Sequence, residues 1–213
     1  MLRVSPYGES DAVVRLLTTR SGVVSAMGKR ARKRMILEPF HTLTVSLARG
    51  SGELLSLRGA QIARPRVGLL SRAEAMEAAG ACTRWTRSLA PEHASEPRVF
   101  ASLERALDAL DLGDEDPRAV QTSFGLALLE ALGFGLELSG CARCGRPRPP
   151  TRGALLSGRQ GGVVCASCRG GAEVGFVEIA GGVLDEVLRD PWRASAVALA
   201  SVVTGAVELR AER

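Results

Sequence analysis

The sequence predicts an α+β protein, in which a small β-barrel is followed by a helical region with an embedded metal module of four cysteines. Three observations give this prediction. Short apolar segments dominate up to about residue 66, the apolar period becomes helical from about residue 69, and two Cys-x-x-Cys pairs follow after residue 140. A chain of 213 residues with 46% apolar content can bury a core of its own.

The first third of the chain contains segments rich in β-branched and apolar residues, which is typical of strands. These are AVVRLLTT (12–19), GVVSAMGK (22–29), HTLTVSLAR (41–49) and ELLSLRGAQI (53–62). Residues 1–7 are predicted as a further edge strand, with Pro6 near its end. The glycines of Gly50-Ser51-Gly52 predict a hairpin turn, since glycine tolerates a positive φ. Four or five short strands in one module indicate a small barrel.

Helical spacing of apolar residues with few breakers marks the rest of the chain. The predicted helices cover 71–90, 96–111, 117–132, 180–189 and 193–210. Asp116 is the expected N-cap of the third helix, Pro117 suits its first turn, and Gly133 stops it. The apolar stretch 194–209 is too short to span a bilayer, and we expect it to be a buried helix.

The net charge of +5 is unevenly distributed along the chain. It is +8 over residues 1–66, −6 over 67–140 and +3 over 141–213. The basic first third is a candidate for binding nucleic acid or an acidic membrane surface. We predict a barrel over 1–66, a helical domain over 67–140, a zinc module over 141–175, and C-terminal helices over 176–213 that pack on the helical domain. Since no secretory signal is found, an intracellular protein with reduced thiols is expected.

Four of the five cysteines form two closely spaced pairs. Cys141 and Cys144 belong to CARC, Cys165 and Cys168 belong to CASC, and 20 residues separate the two pairs. This spacing predicts a tetrahedral zinc site, with redox dithiols, an iron–sulfur cluster or metal-free thiols as alternatives. Four thiolates leave no open coordination position, so the metal would be structural rather than catalytic. Cys82 lies within a helical pattern and is predicted to be a small buried apolar residue.

The sequence contains no catalytic motif that we recognise. The two histidines are not in HExxH, the H-x-E of zinc deaminases is absent, and no GxSxG occurs. Gly22–Lys29 resembles a phosphate loop, but five residues separate its glycines and Arg30 replaces the Ser or Thr that would bind magnesium. We therefore predict no enzymatic activity and no small-molecule substrate, with an undetected nuclease as a lesser alternative.

Residues 28–34 read GKRARKR and contain both lysines of the chain. The cations of this basic run are Lys29, Arg30, Arg32, Lys33 and Arg34. Three interpretations compete: a solvated charged loop, a nuclear targeting signal in a eukaryotic source, and a phosphate-binding loop between two strands of a barrel.

The third interpretation makes further predictions about the first 66 residues. Arg15, Arg49 and Arg58 lie on or beside neighbouring strand segments and are candidates to extend the basic surface. Tyr7 and Phe40 are the only aromatic residues there, so few bases could stack. Binding would then be mainly electrostatic, with weak sequence preference and strong salt dependence.

Several segments resemble one bacterial family. RVSPYGESDAVVRLLT (3–18), GKRARKR (28–34) and LEPFHTL (37–43) are similar to the N-terminal barrel of the recombination-repair family RecO. ALLEALGFGLELSGCARCGRP (127–147), followed by CASC, is similar to that family's helical region and zinc module, in the same order. The resemblance covers nearly the whole chain, although residues 67–125 match only in helical character. Compared with the family, either Met1 is a late start or the first strand is short.

The resemblance implies an N-terminal OB-fold β-barrel, a helical domain and an embedded four-cysteine zinc module. It implies a bacterial, cytoplasmic and nucleoid-associated protein that binds single- and double-stranded DNA and anneals complementary strands. With RecR, such a protein helps RecA to load onto strands coated by single-strand binding protein, and it has no membrane partner. The implied DNA-binding residues are the basic run with Arg15, and the implied zinc ligands are Cys141, Cys144, Cys165 and Cys168.

A different class of function fits the same residues. A zinc-ribbon protein that binds structured RNA, such as a ribosome-associated factor, would also use a basic barrel. Association with RecR and single-strand binding protein, or instead with ribosomal particles, distinguishes the two.

Overall fold

The structure is a computed structural model that describes residues 1–49, 54–170 and 175–212. The hairpin turn predicted at Gly50–Gly52 lies outside these ranges. The chain forms two compact units, a first unit of Met1–Leu112 and a second unit of Gly113–Arg213, and each is described by itself. The four-domain division stays a prediction.

Five strands form the sheet of the first unit. They are β1 (Arg3–Tyr7), β2 (Asp11–Thr18), β3 (Gly22–Gly28), β4 (Thr42–Ala48) and β5 (Leu55–Arg64), with a short helix α1 (Ala31–Arg34) between β3 and β4. The strand order is β1-β2-β3-β5-β4. β1, β2 and β3 form an antiparallel meander, β5 runs parallel to β3, and β4 pairs antiparallel with β5. This Greek-key arrangement is an OB-fold, which confirms the predicted fold class.

Buried and partly buried residues alternate along β2, which identifies the side chains that point into the barrel. Ala12, Val14 and Leu16 are buried, whereas the residues between them are only partly buried. Val24 and Ala26 of β3 join them in the core. The odd-numbered residues of β2 therefore lie on the outer face of the sheet, together with their register partners on β1.

The seam between β1 and β4 is held by contacts outside the strands. The Met1 amine donates a hydrogen bond to the His41 carbonyl at 2.8 Å, and the Phe40 N–H donates to the Met1 carbonyl at 3.2 Å. No ladder pairs β1 with β4 among the residues that the structure describes. The barrel is thus partly open at this edge, as OB-folds commonly are.

Two long helices follow the sheet in the first unit. A 3₁₀ turn (Gly68–Ser71) leads into α2 (Ala73–Leu89), and α3 (Pro97–Leu112) follows. α2 packs against α3, and both contact the 3₁₀ turn. The Asp111 carboxylate accepts a hydrogen bond from the Leu69 N–H at 3.2 Å, which fixes this turn on the end of α3. The helices predicted over 71–90 and 96–111 are therefore present.

Arg66 joins the end of the sheet to α3. Its side chain is 1% exposed, and its guanidinium lies 2.8 Å from the Asp108 carboxylate. The same guanidinium donates hydrogen bonds to the Phe40 carbonyl at 2.7 Å and to the Thr42 hydroxyl at 2.9 Å. The Arg66 backbone N–H donates to Nδ1 of His41 at 3.1 Å. The buried cation therefore has partners on both sides of the junction between strand and helix.

The second unit contains a second sheet among shorter helices. Its elements are α4 (Pro117–Ala131), β6 (Ala154–Ser157), β7 (Gly162–Val164), α5 (Ala166–Arg169), β8 (Val177–Ile179), α6 (Gly181–Arg189), a 3₁₀ turn (Ala194–Leu199) and α7 (Ala200–Ala211). The strand order is β7-β6-β8, with antiparallel pairing throughout. α4 contacts both α7 and the 3₁₀ turn before it.

The ends of α4 follow the predicted signals. The Asp116 carboxylate accepts a hydrogen bond from the Arg118 N–H at 2.9 Å, as an N-cap does. Gly133 has φ of 79°, a conformation that glycine adopts without steric cost. Both predictions for this helix are confirmed.

The C-terminal helical stretch is longer than the apolar segment that predicted it. Ala194–Ala211 is long and apolar enough, by length and composition, to cross a membrane, and 33% of it is buried inside the protein. Leu199, Val203 and Val207 have no exposed surface. The prediction that this stretch is too short to span a bilayer is therefore wrong by length and composition. The helix packs on α4.

Replacing Arg66 by Met should lower the free energy of unfolding by about 3 kcal/mol, because Asp108 would lose its buried partner. Arg64 is the matched control, since it contacts the same carboxylate at 2.6 Å but its side chain is 58% exposed. Arg64→Met should cost no more than about 1 kcal/mol. Urea denaturation measures both values, and equal losses would contradict a special role for Arg66.

Candidate nucleic-acid interface and metal centre

The basic run begins where β3 ends, and its residues Ala31–Arg34 form the short helix α1. Ala31 is fully buried, whereas the cations on either side of it are exposed. A Cβ placed on Gly28 would lie 2.6 Å from the Ala31 Cβ, so the absence of a side chain at Gly28 permits this close packing. One buried small residue therefore holds the run on the barrel and leaves its charged side chains in solvent.

The turn between β1 and β2 anchors the basic run. The Asp11 carboxylate accepts a hydrogen bond from the Arg30 N–H at 2.7 Å. The Ser10 carbonyl accepts one from the Arg32 N–H at 3.1 Å, and the Glu9 carbonyl accepts one from the Arg32 guanidinium at 3.3 Å. These acceptors belong to the YGESD segment, which thus has a structural role in positioning the run.

The charges of the basic run are not neutralised within the described part of the chain. None of its side chains forms an ion pair there, and all five are exposed. Like charges this close in sequence repel one another, and a polyanion relieves that repulsion. The run therefore has the electrostatics of a phosphate-binding surface.

Arg15 lies apart from the run. It is on the outer face of β2, four residues from Asp11, which is roughly 13 Å along a strand. Its guanidinium forms an ion pair with Glu92, a residue that follows α2. Tyr7 is closer to the run, since it stands opposite Asp11 in the ladder and is 61% exposed. The structure thus brings the five cations of the run together with Tyr7, but not with Arg15.

The remaining barrel candidates occupy separate places. Arg49 and Arg58 are exposed, one directly after β4 and the other on β5. Phe40 has a positive φ of 73°, and its carbonyl is bound by Arg66. Phe40 also lines a cavity of about 540 Å³ between the sheet and α3, away from the anchor of the basic run.

The four cysteines predicted as ligands converge on one point. The Sγ atoms of Cys141, Cys144, Cys165 and Cys168 all lie within 4.8 Å of one another. The Sγ atoms of Cys144 and Cys165 are 3.8 Å apart. Zn–S bonds of about 2.3 Å in a tetrahedron place sulfur atoms about 3.8 Å apart, so the arrangement fits a metal ion.

Two tight turns place the cysteine pairs. Gly145 has φ of 70°, and its N–H donates a hydrogen bond to the Cys141 carbonyl at 2.8 Å, which closes the first turn. The Cys168 N–H donates to the Cys165 carbonyl at 3.0 Å in the second turn. The β6–β7 hairpin lies between the two pairs, and β8 is the third strand of the same sheet.

The thiols of the cysteine cluster differ in pKa, because their hydrogen-bond partners differ. N–H groups of Cys165, Cys144 and Arg143 lower the pKa of Cys141 to about 6. The neighbouring cysteine side chains, Cys165 first, raise the pKa of Cys168 to about 12. Four sulfur atoms this close cannot all carry charge unless a cation compensates them, which a bound metal does.

Cys82 is separate from this centre. It has no exposed surface within α2, and burial raises the pKa of its thiol. The prediction of a small buried apolar residue is confirmed.

A buried arginine next to the metal module was missed by sequence reasoning. Arg148 lies in RPRPP, a stretch with no pattern beyond an extended loop. Its side chain is 5% exposed and forms an ion pair with Asp185 on α6. It also donates to the carbonyls of Leu138 at 3.2 Å and Arg152 at 3.0 Å. The Arg148 guanidinium lowers the pKa of Asp185, whose carboxylate also accepts the Thr151 N–H at 2.9 Å.

The fold and the site together define a class of proteins: an OB-fold with an exposed basic run, joined in one chain to a helical region with a cluster of four cysteines. Two families of known proteins match this chain in sequence, one over each part. The family described as Recombination protein O N terminal matches residues 1–66, and Recombination protein O C terminal matches residues 70–203. The chain belongs to the RecO family of DNA repair and recombination proteins.

Individual relatives are similar in sequence over most of the chain. The DNA repair protein RecO of Anaeromyxobacter sp. (strain K) is 36% identical over 197 residues, which cover 89% of this chain and 76% of that protein. The protein of the same name from Rubrobacter xylanophilus is 33% identical and covers 81% of this chain and 70% of its own length. For Geobacter metallireducens the identity is 34%, over 82% of this chain and 73% of the relative.

Replacing Asp11 by Ala should loosen the basic run, because the Arg30 N–H would lose its acceptor. Asp11→Asn is the matched control, since its side-chain oxygen can still accept that hydrogen bond. The opening free energy at the Arg30 amide should fall by about 1 kcal/mol in the Ala variant only. Amide hydrogen exchange measures it, and unchanged exchange in Asp11→Ala would show that the carboxylate does not anchor the run.

The purified chain should contain about one divalent metal ion, as a closed four-thiolate site does. Cys144→Ser should lose most of this metal, because three thiolates leave the tetrahedron incomplete. Cys82→Ala should retain it, since Cys82 is not one of the four clustered cysteines. Elemental analysis of each variant gives the ratio of metal to protein. Retention of the metal by Cys144→Ser would exclude the assigned ligand set.

Proposed function

We propose that this chain binds single- and double-stranded DNA through the basic run and anneals complementary strands. The observation that carries the proposal is a set of five exposed cations with no ion pairs among the described residues, held on an OB-fold by the β1–β2 turn. OB-folds bind single strands along a positively charged surface, with nearby aromatic side chains for stacking. Tyr7 supplies one such side chain next to the run.

The mechanism would be charge neutralisation. Each cation that contacts a phosphate releases a counterion, so binding gains entropy and depends strongly on salt. A strand covered by positive side chains repels its complement less, and the two strands can then meet and pair. This process needs neither ATP nor a catalytic residue, in keeping with the absence of a phosphate-loop motif from the sequence.

The proposed cellular role is that of a non-enzymatic recombination mediator in the bacterial cytoplasm, associated with the nucleoid. Together with RecR, the chain would assist RecA in loading onto strands coated by single-strand binding protein. Membership of the RecO family supports this role. No membrane partner and no small-molecule substrate are proposed.

The proposed occupant of the cysteine cluster is a structural Zn²⁺ ion, held by Cys141, Cys144, Cys165 and Cys168. Thiolates in two Cys-x-x-Cys turns are the ligand set that zinc prefers in structural sites. All four coordination positions are then filled by protein, so the ion stabilises the module and activates no water. The proposed DNA-binding set comprises Lys29, Arg30, Arg32, Lys33 and Arg34, with Arg15 as its outlying member.

Fluorescence anisotropy with a labelled single strand across a salt series tests the proposal. The test variant changes all five cations of the basic run to Gln. The control variant changes five exposed arginines elsewhere to Gln and so has the same net charge: Arg20, Arg98, Arg118, Arg146 and Arg159. The salt slope of the test variant should fall by about 3.5, or 0.7 for each of five lost phosphate contacts, while the control stays near the unmodified chain.

In an annealing assay with complementary oligonucleotides, the basic-run variant should be less active than the control variant. The control variant should be close to the unmodified chain. Equal behaviour of the two variants would reject the basic run as the DNA-binding surface. A marked preference for structured RNA over DNA, with capture of ribosomal particles instead of RecR, would favour the RNA-binding alternative.

A further inference from the structure

A second group of positive charges lies in the first unit, outside the basic run. Arg3 and Arg15 are direct partners in the β1–β2 ladder, so both side chains leave the same outer face of the sheet. Arg84 and Arg87 are three residues apart on α2 and therefore share one face of that helix.

The segment that follows α2 fixes this helix end beside the sheet. The Val23 N–H donates a hydrogen bond to the Pro91 carbonyl at 3.3 Å, and the His93 N–H donates to the Val23 carbonyl at 3.1 Å. The Ser95 hydroxyl donates to the Thr19 carbonyl at 2.9 Å. The end of α2, with its two arginines, is therefore held close to β2 and β3.

The other three arginines lie close enough to Arg87 to act on its charge. Burial lowers the pKa of Arg87, and the positive charges of Arg3, Arg15 and Arg84 lower it further. Within the described ranges, Glu92 is the acidic residue that pairs with this group, and it pairs with Arg15 alone. Repulsion of this kind costs stability, and an anion bound among the arginines would offset that cost.

The arginines also have donors available for an anion. The side chains of Arg3, Arg84 and Arg87 form no hydrogen bond or ion pair with any other described residue. Guanidinium groups match phosphate oxygens in geometry, and they bind phosphate with paired hydrogen bonds.

The position of the arginines favours a polymer over a small anion. Arg15 and the anchor of the basic run, Asp11, share the outer face of β2 and are roughly 13 Å apart. That distance corresponds to about four nucleotides at the 3.4 Å spacing of a stacked strand. Tyr7 is exposed on the same face, opposite Asp11, where a base can stack on it.

We propose that Arg3, Arg15, Arg84 and Arg87 form a second phosphate-binding site, the α2 arginine cluster, and that one continuous single strand crosses the outer face of β1 and β2 between this cluster and the basic run. The inference rests on the proposed function and extends the DNA-binding surface beyond the OB-fold to helix α2. It also gives Arg15, which stands apart from the basic run, a defined set of neighbours.

The test variant is Arg84→Gln with Arg87→Gln, which leaves the OB-fold unchanged. The matched control is Arg20→Gln with Arg98→Gln, which removes two exposed arginines from the same unit. With a labelled thymidine 20-mer, the test variant should bind roughly tenfold more weakly, and its salt slope should fall by about 1.4, or 0.7 for each lost phosphate contact. The control should match the unmodified chain in both values.

Oligonucleotide length provides a second readout that a loss of folding would not mimic. Affinity of the unmodified chain should rise with length until the strand spans both sites, whereas the test variant should reach its plateau at a shorter length. The melting temperature of the test variant should be equal to or above that of the unmodified chain, because two repelling charges are gone.

The outcomes separate this inference from the function on which it rests. If the Arg84 and Arg87 variant binds like its control while the basic-run variant loses affinity, the α2 arginine cluster is not a DNA site and the proposed function stands. If the unmodified chain fails to bind DNA at all, both the function and the cluster are rejected.

Discussion

The buried ion pair between Arg66 and Asp108 is the interaction on which the arrangement of the first unit depends. A guanidinium that is 1% exposed is tolerated only where its charge has partners, because desolvation costs several kcal/mol. α3 must therefore remain where Asp108 reaches the end of β5. Since α2 packs on α3, the same pair determines where Arg84 and Arg87 stand relative to the sheet.

The small sheet of the second unit needs stabilisation beyond the burial of apolar surface. Strands of three or four residues bury too little apolar surface to be stable alone, and β6, β7 and β8 are of that length. Four convergent thiols provide a site at which a bound metal ion would join two distant turns. The Arg148–Asp185 pair then ties the loop after the first cysteine turn to α6.

Pairing and burial separate the arginines of this chain into two roles. Arg66 and Arg148 are buried, and each contacts a carboxylate and backbone carbonyls, which is the environment of a structural cation. The cations of the basic run are exposed and without ion pairs in the described part of the chain, which leaves their charges open to solvent. Residue type alone does not distinguish these roles in a chain so rich in arginine.

The features that depend on near neighbours could be predicted from the sequence: the strand segments, the Asp116 cap and the spacing of the two cysteine pairs. The resemblance to one family also indicated the OB-fold. Which arginines are paired emerged only from the folded chain, because Arg15 and Glu92 are 77 positions apart and Arg66 and Asp108 are 42 apart. No local pattern marks such partners, since their contact depends on how helices and sheet pack. For the same reason, whether an arginine is buried in an ion pair or exposed without one depends on its surroundings and not on its place in a motif.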